Sequence, residues 1–314
     1  MRINYSKGLA MNRTAIPDLS SRELQAICTI AECGSFMAAS LTLEVSQPAL
    51  TRTVQRVEQA LGLELFRRTT RRMEITPAGE EFIALANRVL NDLRISYESM
   101  REVSDEQRGQ VIVSSVMSVA YAHLPAIVSK YHAARPGVEI ELREGVHGTV
   151  LEDVRSGVAD LGITYTDEVP SELASIPLSS EAFHVVVPRK HPLAKKAGFT
   201  LGELTEFALV SLPREAQTRR FIDGLASAAG LTLQHAVTVR QFATIMQCVQ
   251  AGVGIALVPG GAIPSALSAG LVSLPMTEPA VTRALGVVML RDRGLTPSAQ
   301  GFLSQLQGDW SSSR

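Results

Sequence analysis

Six arginines crowd into residues 46–76: Arg52 and Arg56, then Arg67, Arg68, Arg71 and Arg72, the last four separated only by Thr69 and Thr70. Within that stretch only Glu58, Glu64 and Glu74 oppose them. A planar guanidinium can pair with two oxygens of a phosphate or with the O6 and N7 edge of guanine, so an all-arginine cluster suits nucleic acid. Taken alone, such a run is as often a solvated loop. The charge is local, because residues 1–108 are balanced as a whole. The full chain carries 30 Lys and Arg against 31 Asp and Glu, a formal net charge of −1. This excludes a binder that is basic all over.

Other chemistries find little support. There is no GxSxG, no HExxH and no phosphate loop of the Walker type. His123, His132, His147, His184, His191 and His235 are scattered without metal spacing, and Cys28, Cys33 and Cys248 form no CxxC. Asp160 and Asp167 flank a candidate strand without a paired acid. The expectation is a non-enzyme with no cofactor and no metal. Gly252-Val253-Gly254 resembles a fragment of a dinucleotide fingerprint, but it stands between helix and strand in the wrong order and reads as a tight turn.

The arginines need elements to hold them. Ser20 and Glu23 form a capping box for a first helix that stops at Gly34. Ser35 can cap a short second helix with Phe36, Ala38, Ala39, Leu41 and Leu43. Ser46 can cap a third, whose inner face is Leu50, Val54, Val57 and Leu61 and whose outer face shows Gln47, Thr51, Arg52, Gln55, Arg56 and Gln59. Two short helices around a tight turn fit a helix-turn-helix, the second helix of the pair entering the major groove. After Gly62, an apolar run, the basic tip and a second apolar run over Leu63–Ile75 describe a β-hairpin wing. Joined to those helices, the arginine cluster reads as a DNA contact.

Thr76 and Pro77 then open a long helix with an apolar stripe of Phe82, Ala86, Val89, Leu90, Leu93, Tyr97, Met100 and Val103, ending near Arg108-Gly109. The stripe reads as a pairing surface, with packing on its own domain as the alternative. From Val111 onward, strand-like runs (Val111–Val116, Val138–Leu142, Asp160–Thr164, His184–Val187, Phe207–Leu212, Ala236–Val239, Gly254–Val258) alternate with helical stretches (Ser118–Ala134, Thr149–Ser156, Gln217–Ala229, Phe242–Ala251). This implies βαβ units and a mostly parallel sheet, in two similar subdomains. A length of 314 residues with 46% hydrophobic and 19% charged residues suits two or three globular units and excludes a disordered chain. No stretch reaches the ~18 apolar residues of a membrane span. Arg2 and Lys7 precede no apolar h-region, so no secretory signal is expected.

Leu24, Ala31, Gly34-Ser35-Phe36, Ala38-Ala39, Leu43, Ser46-Gln47-Pro48-Ala49-Leu50-Thr51, Leu61-Gly62, Leu65-Phe66-Arg67-Arg68 and Ile75-Thr76-Pro77-Ala78-Gly79 together resemble the signature of LysR-type transcriptional regulators. The match is nearly continuous from Leu19 to Leu90, and chain length and the later α/β pattern agree with it. The resemblance implies an N-terminal winged helix-turn-helix, a dimerising linker helix and two α/β subdomains of periplasmic-binding-protein type. In that scheme residues 1–15 are a disordered extension, 16–76 the DNA-binding domain, 77–108 the linker helix and 109–310 the effector-binding regulatory domain. Subdomain I takes about 109–178 and 279–310, and subdomain II about 179–278. The chain would cross near Leu178–Glu181 and return near Thr277–Ala284.

Carried over by residue, the resemblance assigns Gln47, Pro48, Thr51 and Arg52 to the major groove and Arg68 and Arg72 to the wing. Thr51 stands where the family more often has Ser, and Met37, Leu41 and Thr42 make the second helix less alanine-rich than usual. A small polar or acidic effector would lie between the subdomains, over strand ends and helix N-termini. Ser118 matches a common effector contact or is a plain N-cap. His147 departs from the usual Thr or Ser, and either donates to a carboxylate or caps its helix. Tyr165 and Thr166 would complete the ring, with Arg214 as a counter-charge and Phe242 opening a helix beside it. The implied partners are double-stranded DNA, the effector, RNA polymerase and further copies of the chain as homodimer or homotetramer, in the cytoplasm and away from membranes. A cytoplasmic small-molecule-binding protein without DNA recognition is the alternative, and it leaves the third helix and wing unexplained. A redox switch is disfavoured because Cys248 is alone in the regulatory region.

Overall fold

The computed structural model describes residues 18–68, 73–101, 109–167, 169–263 and 270–312. The chain divides into two compact units, Met1–Leu90 and Asn91–Arg314.

Local caps build the first unit. α1 (Ser21–Cys33) opens on the capping box: the Ser20 N–H donates to Glu23 Oε2 at 2.9 Å, and the Glu23 N–H donates to the Ser20 hydroxyl. α2 (Phe36–Thr42) and α3 (Gln47–Leu61) start from Ser35 and Ser46, each hydroxyl accepting from the N–H three residues on. Ile27, Ile30, Phe36, Ala39, Leu50, Val54 and Val57 share one core, and Ala39 is small enough to bring α2 close to its neighbours. Leu41 is exposed instead of inward. Five residues beyond Phe36 it falls about 140° round the helix, away from the core face. Gly62 ends α3 at φ +68°, a left-handed turn that a side chain would strain.

β1 (Phe66–Arg68) and β2 (Met73–Ile75) then pair antiparallel, Phe66 opposite Ile75. Glu58 ties this hairpin to α3 by accepting from the N–H groups of Leu65 and Phe66 at 2.8 and 3.1 Å. The tip, residues 69–72, lies outside the described residues, as does the proposed extension 1–15.

Thr76 caps α4 (Pro77–Arg101) by accepting from the Gly79 N–H at 3.0 Å. The apolar stripe expected on this helix divides in two. Phe82, Ile83, Ala86 and Leu90 pack with Leu24 and Cys28 in the first unit. Leu85, Val89, Leu93, Tyr97 and Met100 form an outward stripe, Leu93 and Met100 being 53% and 68% exposed. Val103 and the rest of 102–108 lie outside the described residues. From Asn91 onward α4 belongs to the second unit. Asn91 donates to the Gly157 carbonyl at 3.3 Å, and Arg94 donates to the Gln110 carbonyl at 3.0 Å while pairing with Asp160.

The second unit runs β3 (Gly109–Val116), α5 (Met117–Ala122), α6 (Leu124–Ala134), β4 (Val138–Gly145), α7 (His147–Arg155), β5 (Leu161–Tyr165), β6 (Leu173–Pro188), β7 (Phe199–Thr200), β8 (Ala208–Ser211), α8 (Gln217–Ala228), β9 (Gln234–Thr238), α9 (Phe242–Gln250), β10 (Ala256–Pro259), β11 (Leu271–Glu278), β12 (Thr282–Leu290) and α10 (Pro297–Ser312). The single helix expected over Ser118–Ala134 breaks at His123, because Pro125 supplies no N–H and restricts the residue before it.

The sheet is mixed and not mostly parallel. β3 pairs parallel with β4 and β5, whereas β12 pairs antiparallel with β5 and β6, and β6 antiparallel with β10 and β11. The 16-residue β6 serves both halves. Its first part pairs with β12 through a register shift that admits Pro177 opposite Gly286, and its last part pairs with β10 and β11. Each half has its own core. One gathers Val111, Val113, Ile163, Val287, Tyr131 and Phe302. In the other, Val185 and Val187 face Ile222 and Leu257, while Val186 faces the opposite side with Met246 and Val249. That alternation within an unbroken apolar run marks a strand covered on both faces. The chain passes between the halves along β6 and returns between β11 and β12.

Candidate functional site

On the first unit, α3 presents Gln47, Pro48 and Arg52 to solvent, with Thr51 half-buried on the same side. The core residues Leu50, Val54 and Val57 lock the opposite face, so this orientation follows directly from the helical period. Arg56, one turn beyond Arg52, is turned back. Its guanidinium pairs with Glu23 through Nε, and through Nη2 at 2.6 Å, and also donates to the Asp18 carbonyl. It therefore staples α3 to α1 instead of joining the outward charges. Arg56 holds the Glu23 carboxyl down at about 2, and the Ser20 N–H and hydroxyl assist. In the wing, Arg67 is exposed beside Glu64 and the Arg68 backbone pairs with Met73. The Arg68 side chain and all of Arg72 lie outside the described residues.

On the second unit a cavity of about 330 Å³ opens over the ends of β3, β4 and β5 on one side and β8 on the other. Ser118, His147 and Phe242 line it, so three of the five expected effector contacts come together there. Thr166 and Arg214 do not. Successive strand residues point to opposite faces, so with Tyr165 in the cavity Thr166 turns away, towards Gly286. Arg214 is exposed, and the cationic residue of the wall is Arg240, with Glu215, Gln217 and Thr218 nearby. No sequence periodicity singles out Arg240, because it stands in the loop between β9 and α9.

Neither Ser118 nor His147 is an N-cap: those positions are Val116 and Val146. Ser118, a residue 2% exposed, donates its hydroxyl proton to Glu181 Oε2 at 3.0 Å, and the Tyr165 hydroxyl donates to the same oxygen at 3.0 Å. Glu181 Oε1 accepts from the Gly261 N–H at 3.2 Å. Burial pushes the Glu181 carboxyl up, against the pull of its three donors and Arg283. Burial and the Glu181 charge likewise push the Tyr165 phenol up, so it stays protonated. His147 Nδ1 lies 2.8 Å from the Thr164 hydroxyl. Glu181 escapes a sequence reading that sees it only as part of a crossing strand; an acid between Leu178 and Phe183 was the available signal.

The helix ends around this cavity share a feature. The N-cap residues of α7, α8 and α9 are Val146, Ala216 and Gln241, and none supplies a side-chain cap, nor does Val116 ahead of the short α5, whereas Ser20, Ser35 and Ser46 cap α1, α2 and α3. Val146 and His147, Ala216, Gln217 and Thr218, and Phe242 bring these three N-termini to the cavity wall. Their first-turn N–H groups and dipoles favour acceptors and negative charge. Among the described residues no cluster of His, Cys, Asp and Glu could hold a metal ion, and no helix is long and apolar enough to cross a membrane.

A winged helix-turn-helix on one chain with a cavity-bearing α/β module defines a ligand-responsive regulator of transcription. Comparison with known proteins agrees. Residues 21–80 match the bacterial regulatory helix-turn-helix protein family of lysR type, and residues 104–311 match the LysR substrate binding domain. The chain belongs to the LysR family: it is a DNA-binding transcriptional regulator with a C-terminal effector-binding domain. It is 29% identical over 293 residues to the uncharacterised HTH-type transcriptional regulator YbhD of Escherichia coli K12, covering 93% of this chain and 92% of that protein. Among solved structures, HinK, a LysR family transcriptional regulator from Pseudomonas aeruginosa, aligns with a TM-score of 0.60 at 26% identity, over 95% of this chain and 100% of its own. A full-length OxyR variant from Pseudomonas aeruginosa shares the fold, with a TM-score of 0.71 at 21% identity over 93% and 94% of the two chains.

Proposed function

We propose that the regulator answers a small, acid-bearing metabolite held in the 330 Å³ cavity by Ser118, His147, Phe242, Tyr165, Gln217 and Arg240. The observation that carries this reading is the convergence of three uncapped helix N-termini, α7, α8 and α9, on one cavity. On DNA, Gln47, Pro48, Thr51 and Arg52 read bases in the major groove, and Arg68 and Arg72 hold phosphates. The outward stripe of α4 pairs with a second copy, giving a homodimer or a tetramer of two such pairs, and the DNA-bound assembly contacts RNA polymerase. The seat of action is the cytoplasm, in keeping with three free cysteines and the DNA-binding unit.

One cluster invites an enzymatic reading. His235 Nδ1 lies 2.9 Å from the Ser211 hydroxyl and its Nε2 lies 3.1 Å from Asp223, an order of nucleophile, base and acid. The space beside it is only about 10 Å³, and Arg219 donates to the Ser211 oxygen at 3.1 Å. We therefore assign it a structural role, bracing β8 and β9 against α8, with no catalysis.

The test is a thermal-shift screen of small carboxylates on the full chain and on Ala216→Trp, which fills the cavity. Hits should stabilise the parent protein and change its affinity for DNA fragments selected from the genome, with no effect on the filled variant. Equal stabilisation of both proteins would remove the cavity from the reading.

A further inference from the structure

Glu181 does not reach the cavity, yet it governs what one corner of the cavity offers. Both hydroxyls of that corner, Ser118 and Tyr165, approach Glu181 Oε2 at 3.0 Å, and the fixed Gly261 N–H holds Oε1. With its carboxyl ionised Glu181 only accepts hydrogen bonds, and the Ser118 and Tyr165 hydroxyls, which also hydrogen-bond each other, turn their protons towards it and each other. What remains for the cavity is lone pairs. Glu181 is 7% exposed, and among the described residues Arg283 lies opposite it in the strand register, with its guanidinium carbon 3.7 Å from the Tyr165 ring centroid and its Nε 3.2 Å from Asp167. The hydroxyl oxygens of this corner are thus acceptors, with the Glu181 carboxylate, partly offset by Arg283, behind them, whereas the backbone N–H groups of the short α5 beside them and of α7, α8 and α9 elsewhere in the wall are donors.

We infer that Glu181 is the residue that sets effector specificity at this corner, so that the effector carries a hydrogen-bond donor, an ammonium or a hydroxyl, a few ångströms from its acid group. The inference rests on the cavity being the effector site. It narrows the class to amino or hydroxy acids with a modest apolar remainder, which Val116, Met117, Leu212 and Phe242 would cover.

Glu181→Gln supplies the test. The Gly261 N–H keeps the amide oxygen in the Oε1 position, so the amide NH₂ faces Ser118 and Tyr165 and donates to both. Their hydroxyl protons then turn towards the cavity and the corner becomes a donor. Phenylalanine and leucine would each be titrated calorimetrically against their 2-hydroxy, 2-oxo and unsubstituted counterparts, on the full-length parent, Glu181→Gln, Tyr165→Phe and Ala216→Trp. The parent should prefer the amino and hydroxy members by about tenfold or more, the scale of one buried hydrogen bond to a charged group. Glu181→Gln should cancel or invert that order while still binding the 2-oxo acids, and Tyr165→Phe should flatten it. A simple loss of packing would weaken all members alike.

Equal binding of oxo and amino members by the parent, or an order unchanged in both variants, overturns the inference while leaving the cavity reading intact. Binding of none of these compounds overturns it too. Compounds that bind Ala216→Trp as well as the parent would overturn the cavity reading itself.

Discussion

Arg52 and Arg56, one helical turn apart and identical in type, do opposite work. Arg52 projects into solvent from α3, and Arg56 is folded back onto Glu23. Arg52→Ala should cost about 1–3 kcal/mol on a specific site with little change on random DNA if it reads a base. Arg72→Ala should weaken all sequences alike and reduce the salt slope. Fluorescence anisotropy on selected and random duplexes separates the two, and equal losses for Arg52→Ala on both would remove its base-reading role. Glu23 makes a pH prediction. Its carboxyl titrates at about 2 when folded against an ordinary 4.5, so its contribution is fully present above about 4.5 and lost as pH falls towards 2. Paired melts of the parent and Glu23→Gln should differ at neutral pH and converge as the pH drops through that window. A gap that stays constant down to pH 2 would contradict the assignment.

At the scale of elements, α4 carries exposed apolar side chains in both units, Leu85 and Val89 in the first and Leu93 and Met100 in the second. Leu93→Glu, placed in both copies of a pair, removes roughly 1.5–3 kcal/mol of burial from each and should raise the dissociation constant at least about 100-fold. Sedimentation across a dilution series reads this directly, and an unchanged oligomer would show that the seam lies elsewhere. The first three helices were legible in the sequence because Ser20, Ser35 and Ser46 act within one turn of themselves, and because Leu50, Val54 and Val57 repeat at the helical period. β11, β12 and the first half of β6 were not legible. Their pairing is antiparallel and distant in sequence, and Pro177 and the serines around it mask a strand whose register shift accommodates them. Of the cavity wall, His147 and Phe242 were within reach of the sequence because each opens a helix after a strand or loop, and Ser118 because it matches the family pattern. Thr166 went to the wrong face by one residue of strand period. Glu181 and Arg240 acquire their roles only when segments far apart in sequence come together.

At the scale of the whole molecule, β5 joins the cavity to the linker helix. Tyr165 lies at one end of the strand in the cavity, and Asp160 stands just before the other, where it pairs with Arg94 of α4 and accepts from the Ile112 N–H at 2.9 Å. Asp160→Asn should leave effector affinity within about twofold, yet abolish the effector's influence on DNA affinity, because linkage needs an element that both sites bias. Calorimetry and anisotropy on one preparation check the two halves of that statement, and a retained DNA response would break the path. The uncapped N-termini of α7, α8 and α9 also bear on how long the protein lasts. The DNA-binding helices are capped by their own serines, but at the cavity the N-cap residues of α7, α8 and α9 supply no side-chain acceptor, a place that a bound acid group would fill. A ligand at a hundredfold over its dissociation constant adds about 2.7 kcal/mol to the folded state. Proteases that sample opened chains would then clear the regulator faster in cells that lack the metabolite. Its copy number, and not only its conformation, would follow the signal.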